Sequence, residues 1–291
     1  MSQNLTIARI KILIVLYKKH YTQSAAIMSL VDMFPDFHSQ GIDVEIYVWN
    51  NSPEYSPPLK LENIKWFEGC NEGLSYVYNK MSNFAFGDNA THFMISDDDT
   101  NYSSPSYIQS IASALSAYDD PENIEFGVIL PKIYSKGLLI SPGERYGFLG
   151  RLSVSLDSGL ISSHNRLAIN SGVIITRCCY LKMNPLYDER LMFYTTDTDF
   201  FVRYQSYYNC LYVLDAELQH DLSEHSADTP DRANFRFREM IHGLRIIFEK
   251  RNILFRLSLE IYLAISSVRK SINYKNFDFI MSYIVSCKRV V

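Results

Sequence analysis

Apolar positions along the chain alternate between two periods. "RIKILIVLY" (Arg9–Tyr17) and "DVEIYVWN" (Asp43–Asn50) are short runs rich in β-branched and aromatic residues. Between them, "TQSAAIMSLVDMF" places Ala26, Leu30, Met33 and Phe34 at helical spacing. Strand, helix and strand at this separation predict a βαβ unit, and with it a parallel sheet. The pattern continues with "NIKWFEG" (Asn63–Gly69) as a third strand, "GLSYVYNKMSNFAF" as a second helix and "THFMIS" (Thr91–Ser96) as a fourth strand. "PSYIQSIASALSAY" then reads as a helix and "FGVILPKIY" (Phe126–Tyr134) as a strand. Leu167–Arg203 runs strand, helix, loop and helix, and "LYVLDAELQH" is a strand that ends at His220.

Two stretches break the pattern. "SKGLLISPGERYGFLGRLS" (Ser135–Ser153) holds four of the twelve glycines and reads as a mobile loop. "SADTPDRAN", after His225, reads as a boundary. The expected organisation is one α/β domain over residues 1–230 and a helical region over 231–291. In that region Leu254, Leu257, Ile261, Ile265 and Val268 fall along one helical stripe, with Arg256, Glu260, Ser267 and Lys270 towards another side.

Charge sharpens the division. From Arg232 onward there are 12 Lys/Arg against 4 Asp/Glu, a local +8 on a chain whose net charge is −4. A basic helical end on an acidic body points to an anionic surface such as a membrane interface. Packing on the domain, or a homodimer interface, is the competing use of the same stripe. Nucleic acid is a weaker partner, because the body is acidic and no nucleic-acid motif occurs. Five cysteines, odd in number and without CxxC spacing, argue against a disulfide framework or zinc knuckle and fit a reducing compartment. The apolar run Ile12–Leu16 is too short for a signal peptide or a membrane span, so a cytoplasmic location is expected.

The chemistry centres on "ISDDDT". Three carboxylates in a row repel one another by up to ~1 kcal/mol per pair even in water. They follow a strand end, where open α/β sheets bind ligands. Asn50–Asn51 and Cys70–Asn71 occupy two other such ends. In an extended chain Asp97 and Asp99 point to one side and Asp98 to the other, so the pair suits a Mg²⁺ or Mn²⁺ ion carrying a diphosphate. An acidic turn is the plain alternative.

The order of motifs resembles the inverting family-2 glycosyltransferases of GT-A fold. Within them it is similar to the bacterial rhamnosyltransferase-like branch that builds surface polysaccharides such as O-antigen and capsule. "IVLYKKH", "VWNNS", "NEGLSYVYN", "ISDDDT", "NSGVIIT", "YTTDTDFFVR" and "LQHD" carry the resemblance, in unbroken order over about residues 9–226. It implies a mixed, mostly parallel sheet flanked by helices, with a nucleotide-sugar half near 1–100 and an acceptor half near 101–230. It implies nucleotide-sugar contacts at Tyr17, Asn50, Asn71, Gly73, Asn79, Asp97, Asp98, Ser171 and Gly172. Metal ligation falls to Asp97, Asp99 and His220, with His225 competing for the last place, and the general base to Asp197, with Asp199 as the alternative.

Two departures stand out: Asn50 replaces the family's usual Asp, and Thr196 stands where Glu is usual. An Asn oxygen still accepts the imide N–H of uracil or thymine. The resemblance implies transfer from dTDP-rhamnose, or a UDP-hexose, to a hydroxyl of a polyprenyl-diphosphate-linked glycan, on the inner face of the cytoplasmic membrane. A binding protein that keeps this fold without turnover is the alternative. Asp197 and Asp199 also suit the first turn of any helix.

Overall fold

The computed structural model describes residues 8–120, 125–220 and 229–287. The first half comprises β1 (Ala8–Leu16), α1 (Ala25–Asp32), α2 (Phe34–Ser39), β2 (Ile42–Asn50), β3 (Ile64–Glu68), α3 (Leu74–Gly87), β4 (His92–Ser96), the two-residue β5 (Thr100–Asn101) and α4 (Tyr107–Asp119). The second comprises β6 (Phe126–Ser135), β7 (Leu138–Ser141), β8 (Gly143–Tyr146), β9 (Leu149–Arg151), β10 (Gly159–Ser162), β11 (Arg166–Leu167), β12 (Val173–Thr176), α5 (Arg177–Met183), α6 (Thr196–Tyr204) and β13 (Cys210–His220). Three helices follow: α7 (Pro230–Ile247), α8 (Ile253–Tyr274) and α9 (Asp278–Cys287). His225 and the first three residues of the boundary segment, 226–228, lie outside the described residues, and the rest of it caps and begins α7.

The main sheet has the order β10-β13-β6-β12-β4-β1-β2-β3. β3, β2, β1, β4, β6 and β13 run one way, with β12 and β10 reversed. Side chains alternate across the strands with period two, and each face builds its own core. Ile10, Ile12 and Ile14 of β1 pack with α1 and α4 residues such as Leu30 and Ile111. Leu13 faces the other way, with Val77 of α3 and Phe200 of α6. β2 repeats the division, with Val44, Ile46 and Val48 on one face and Tyr47 and Trp49 on the other.

Register brings the strand ends together. Leu16 lies opposite Asn50, and Ile14 opposite Ser96, so β1, β2 and β4 finish at one edge. β12 is antiparallel to β4, pairing Val173 with Ile95. Its entry, Asn170–Gly172, therefore stands beside the exit of β4.

The glycine-rich stretch 135–153 is ordered structure, not the mobile loop expected. It forms β7 against β6, and β8 and β9, which join β11 in a separate three-stranded sheet. Its glycines serve close approach and turning. A Cβ on Gly143 would stand 2.7 Å from the Arg151 carbonyl oxygen, and Gly147 turns the β8–β9 hairpin with φ +63°.

α7, α8 and α9 share a core of Phe237, Ile241, Leu244, Leu259, Leu263 and Phe279. On α8 the packed side is Leu259, Leu263, Ser267 and Ser271. The apolar stripe read from the sequence faces outward: Leu254 is 75% exposed, and Ile261 and Ile265 are each 62% exposed. Among the described residues, no helix is long and apolar enough to cross a membrane.

Candidate active site

The three acids leave β4 in alternating directions. Asp98 turns to Lys19, whose ammonium is 2.6 Å from its carboxylate. Its carbonyl takes hydrogen bonds from Ser24 Oγ (2.8 Å) and Ala26 N (3.2 Å), which pins the run to the start of α1. Asp97 and Asp99 turn the other way. A ligand atom of each lies within 4.8 Å of one on His220.

His220 arrives there through β5. That short strand pairs with the end of β13, setting Thr100 opposite His220. Thr100 Oγ1 is 3.1 Å from His220 Nδ1 and also hydrogen-bonds Ser171 Oγ. Ser171 Oγ accepts from Asp97 N at 3.3 Å. Ser171 thus ties the entry of β12 to the acids, and Gly172, at φ +78°, makes the turn into the strand. A Cβ on Gly172 would stand 2.7 Å from Pro131 Cγ, so the position has no room for a side chain.

Asp99 Oδ1 is buried without a hydrogen-bond donor. His220 Nδ1 stands 3.4 Å away, within ion-pair reach but outside hydrogen-bond geometry. A buried carboxylate oxygen left without a partner costs on the order of a few kcal/mol. Beside it, Asp97 is pushed up to about 7, chiefly by burial and then by the charges of Asp99, Asp98 and Asp197. Clustered carboxylate oxygens with one imidazole are the donors a divalent cation of Mn²⁺ or Mg²⁺ type takes, so the residues fit such an ion.

Asp197 sits in the first turn of α6. Burial raises its pKa, opposed by hydrogen bonds donated by Thr198 N (2.6 Å) and Thr198 Oγ1 (3.4 Å) to its Oδ1. Its charge is felt at Asp97, Tyr78 and Tyr187, so its carboxylate lies within electrostatic reach of the acid cluster. Asp199, two residues on, is placed differently. It is 4% exposed, is held by Arg203 Nε (2.9 Å) and Nη2 (2.8 Å), and accepts from Asp188 N at 3.3 Å. Its carboxylate is committed to the fold.

Asn79 acts at a distance. Its side-chain oxygen accepts from Tyr187 N (3.0 Å), and its Nδ2 donates to Tyr187 O (2.9 Å) and Glu189 Oε1 (3.1 Å). Tyr187 OH donates to Asn170 Oδ1 (2.9 Å), and Asn170 Nδ2 donates to Thr196 Oγ1 (3.2 Å). A buried chain of hydrogen bonds thus runs from α3 to the start of α6. Of its members, Asn170 is the first residue of the "NSG" motif and was within reach of sequence reading; Tyr187 carried no signal.

The other expected donor contacts are more dispersed. The Asn50 amide is spent within its own loop, donating to Ser56 O (2.9 Å) and accepting from Ser52 N (3.1 Å). Asn71 is exposed with φ +55°, and its N–H donates to Asn51 O at 3.1 Å. Gly73 precedes α3, where a Cβ would lie 3.3 Å from Met192 Cα. Tyr17 is 47% exposed beyond β1, with the Lys18 ammonium 5.2 Å from its ring centre.

No family model and no curated protein matches the sequence. Solved structures do match. A crystal structure of GalNAc-T7 with UDP, GalNAc and Mn²⁺ aligns over 97% of this chain and 57% of that one, with TM-score 0.55 and 11% identity. The fold is GT-A. Weaker likenesses are the catalytic domain of Drosophila β1,4-galactosyltransferase 7 in complex with xylobiose and A197 from STIV. The first has TM-score 0.41 and 14% identity over 72% of this chain and 66% of that one. The second has TM-score 0.41 and 13% identity over 73% and 85%. At these identities the likeness is one of fold, and the chain spans little more than half of the GalNAc-T7 chain. In this GT-A sheet, the exits of β1, β2 and β4 and the entry of β12 meet at one edge, beside the Asp97–Asp99–His220 group.

Proposed function

We propose that the chain is a metal-dependent, inverting glycosyltransferase that moves a sugar from a nucleoside-diphosphate donor to a hydroxyl acceptor. One observation carries the reading: within the Asp97–Asp99–His220 group a buried carboxylate oxygen has no hydrogen-bond donor, and the charge of Asp197 reaches Asp97 beside it. Asp97, Asp99 and His220 would hold Mn²⁺ or Mg²⁺, which when bound supplies positive charge against the departing diphosphate. The Ser171 and Thr100 hydroxyls orient these ligands. Asp197 takes the acceptor hydroxyl proton as the acceptor oxygen bonds to the anomeric carbon. The bond to the diphosphate breaks on the opposite face, and the diphosphate leaves with the electron pair. A base whose pKa burial raises suits that proton transfer.

The finer reading follows the motif order. The donor is dTDP-rhamnose or a UDP-hexose, the acceptor a lipid-linked glycan of surface-polysaccharide synthesis, and the site of action an anionic membrane surface. The outward aliphatic stripe of α8 supports the last point, because no acid interrupts it and the region around it is basic. UDP and Mn²⁺, both present in the GalNAc-T7 crystal, are the first probes.

The test is transfer from UDP-glucose, UDP-galactose, UDP-N-acetylgalactosamine and dTDP-rhamnose, with Mn²⁺, to short glycans on an alkyl diphosphate. Product from one donor, absent in Asp97→Ala/Asp99→Ala and in Asp197→Asn, is the expected result. Diphosphate binding that ignores both Mn²⁺ and the double substitution would sink the proposal.

A further inference from the structure

α7 carries a glycine where a helix has least use for one. Gly243 is buried in the interior of α7, and only proline is a poorer helix former. A Cβ built on it would overlap Thr195 Oγ1 and stand 3.0 Å from Thr195 Cβ and 3.2 Å from Cγ2. Turning the Thr195 hydrogen towards it would relieve the Oγ1 overlap but leaves Cβ 3.0 Å away, closer than such atoms ordinarily approach. A side chain at 243 is therefore admitted only if the Thr195 backbone moves.

Thr195 holds an uncommon conformation. Its φ is +66°, in the left-handed region that β-branched residues rarely adopt. It caps the start of α6, and its carbonyl accepts from Asp199 N at 2.9 Å, so its backbone sets the direction in which Asp197 leaves the helix. The same side of α7 grips the segment twice more. Arg236 Nε donates to Tyr194 OH at 3.0 Å, and just past the helix end Glu249 takes both Nη groups of Arg190 at 3.0 Å.

We infer that α7 positions the catalytic segment: Gly243 is the socket for the Thr195 side chain and holds residue 195 in the left-handed conformation that aims Asp197 towards the acid cluster. Gly243 is a positioning residue and touches no substrate. The inference rests on the reading of Asp197 as the general base.

The test is Gly243→Ala, alone and combined with Thr195→Gly, which removes the overlapping side chain and accepts a positive φ. With the donor and acceptor pair that turns over fastest in the transfer assay, Gly243→Ala is expected to lower kcat at least tenfold. The donor KM stays unchanged, and any loss of Tm is partly offset by alanine's better helix propensity. The double variant recovers kcat to within about threefold of the starting protein. Hydrogen exchange rises in peptides covering residues 190–199 of Gly243→Ala, and peptides of α7 do not change. Wild-type kcat and unchanged exchange at 190–199 would overturn the inference, as would a loss of kcat that the double variant keeps. If Asp197→Asn is as active as the starting protein, the general-base reading falls instead. The exchange comparison then still decides whether α7 holds the segment.

Discussion

Asp97 and Asp98 are neighbours in sequence and live in opposite electrostatic settings. Asp98 is paired with Lys19, whereas Asp97 is hemmed in by three other acids. The alternation of an extended chain was enough to anticipate that split. The fate of Asp199 was only half legible: Arg203 stands at i+4 on the same helix, but the Asp188 N–H reaches it only through the fold of the loop before α6. Asp197→Asn is expected to reduce transfer by 10²–10⁴-fold, the usual worth of a positioned general base, while donor binding measured by calorimetry is retained. His92 gives a second residue-level prediction. Burial lowers its pKa from 6.5 to about 4. The folded state therefore binds fewer protons than the unfolded one, and stability present above pH 6.5 is lost as the pH falls towards 4. The loss is on the order of 3 kcal/mol. The melting temperature of His92→Phe should fall less over that pH range than that of the starting protein.

At the scale of elements, α8 shows how a helical stripe is misjudged without its neighbours. Its apolar side was legible from spacing, but its 3.6-residue period could not say whether that side packs. Leu259 and Leu263 do the packing, and the stripe from Leu254 to Val268 is left outside. The two sides then respond differently to change. Ile261→Asp with Ile265→Asp should leave Tm nearly unchanged, since both side chains are exposed, yet abolish flotation with vesicles of anionic phospholipid. Retained flotation would remove lipid as the partner of α8. Leu263→Ala should cost about 2–5 kcal/mol in chemical denaturation, the usual range for a buried leucine. The 135–153 stretch taught the opposite lesson. Its glycines looked like looseness in sequence, but Gly143 exists so that two strands can approach each other.

For the molecule as a whole, the succession of strands and helices through β4 was readable because strand-length and helix-length apolar runs alternate there without ambiguity. β12 fitted the same reading, but its antiparallel sense did not follow from it, since direction is a property of connections. Direction matters here, because only a reversed β12 brings Ser171 and Gly172 to the acids. A ligand that binds the folded state alone should stabilise all of it. Mn²⁺ at a hundredfold excess over its Kd should add about 2.7 kcal/mol, absent from Asp97→Ala/Asp99→Ala.

The two-residue β5 has a consequence for how the chain is made. It couples the acids after β4 to the last residue of β13 and sets His220 beside Asp99. A nascent chain halted on the ribosome short of residue 220 carries both aspartates and lacks their third partner. If the three residues hold the ion as proposed, a translating chain scanned by length should acquire tight Mn²⁺ binding in one late step, once residue 220 has emerged.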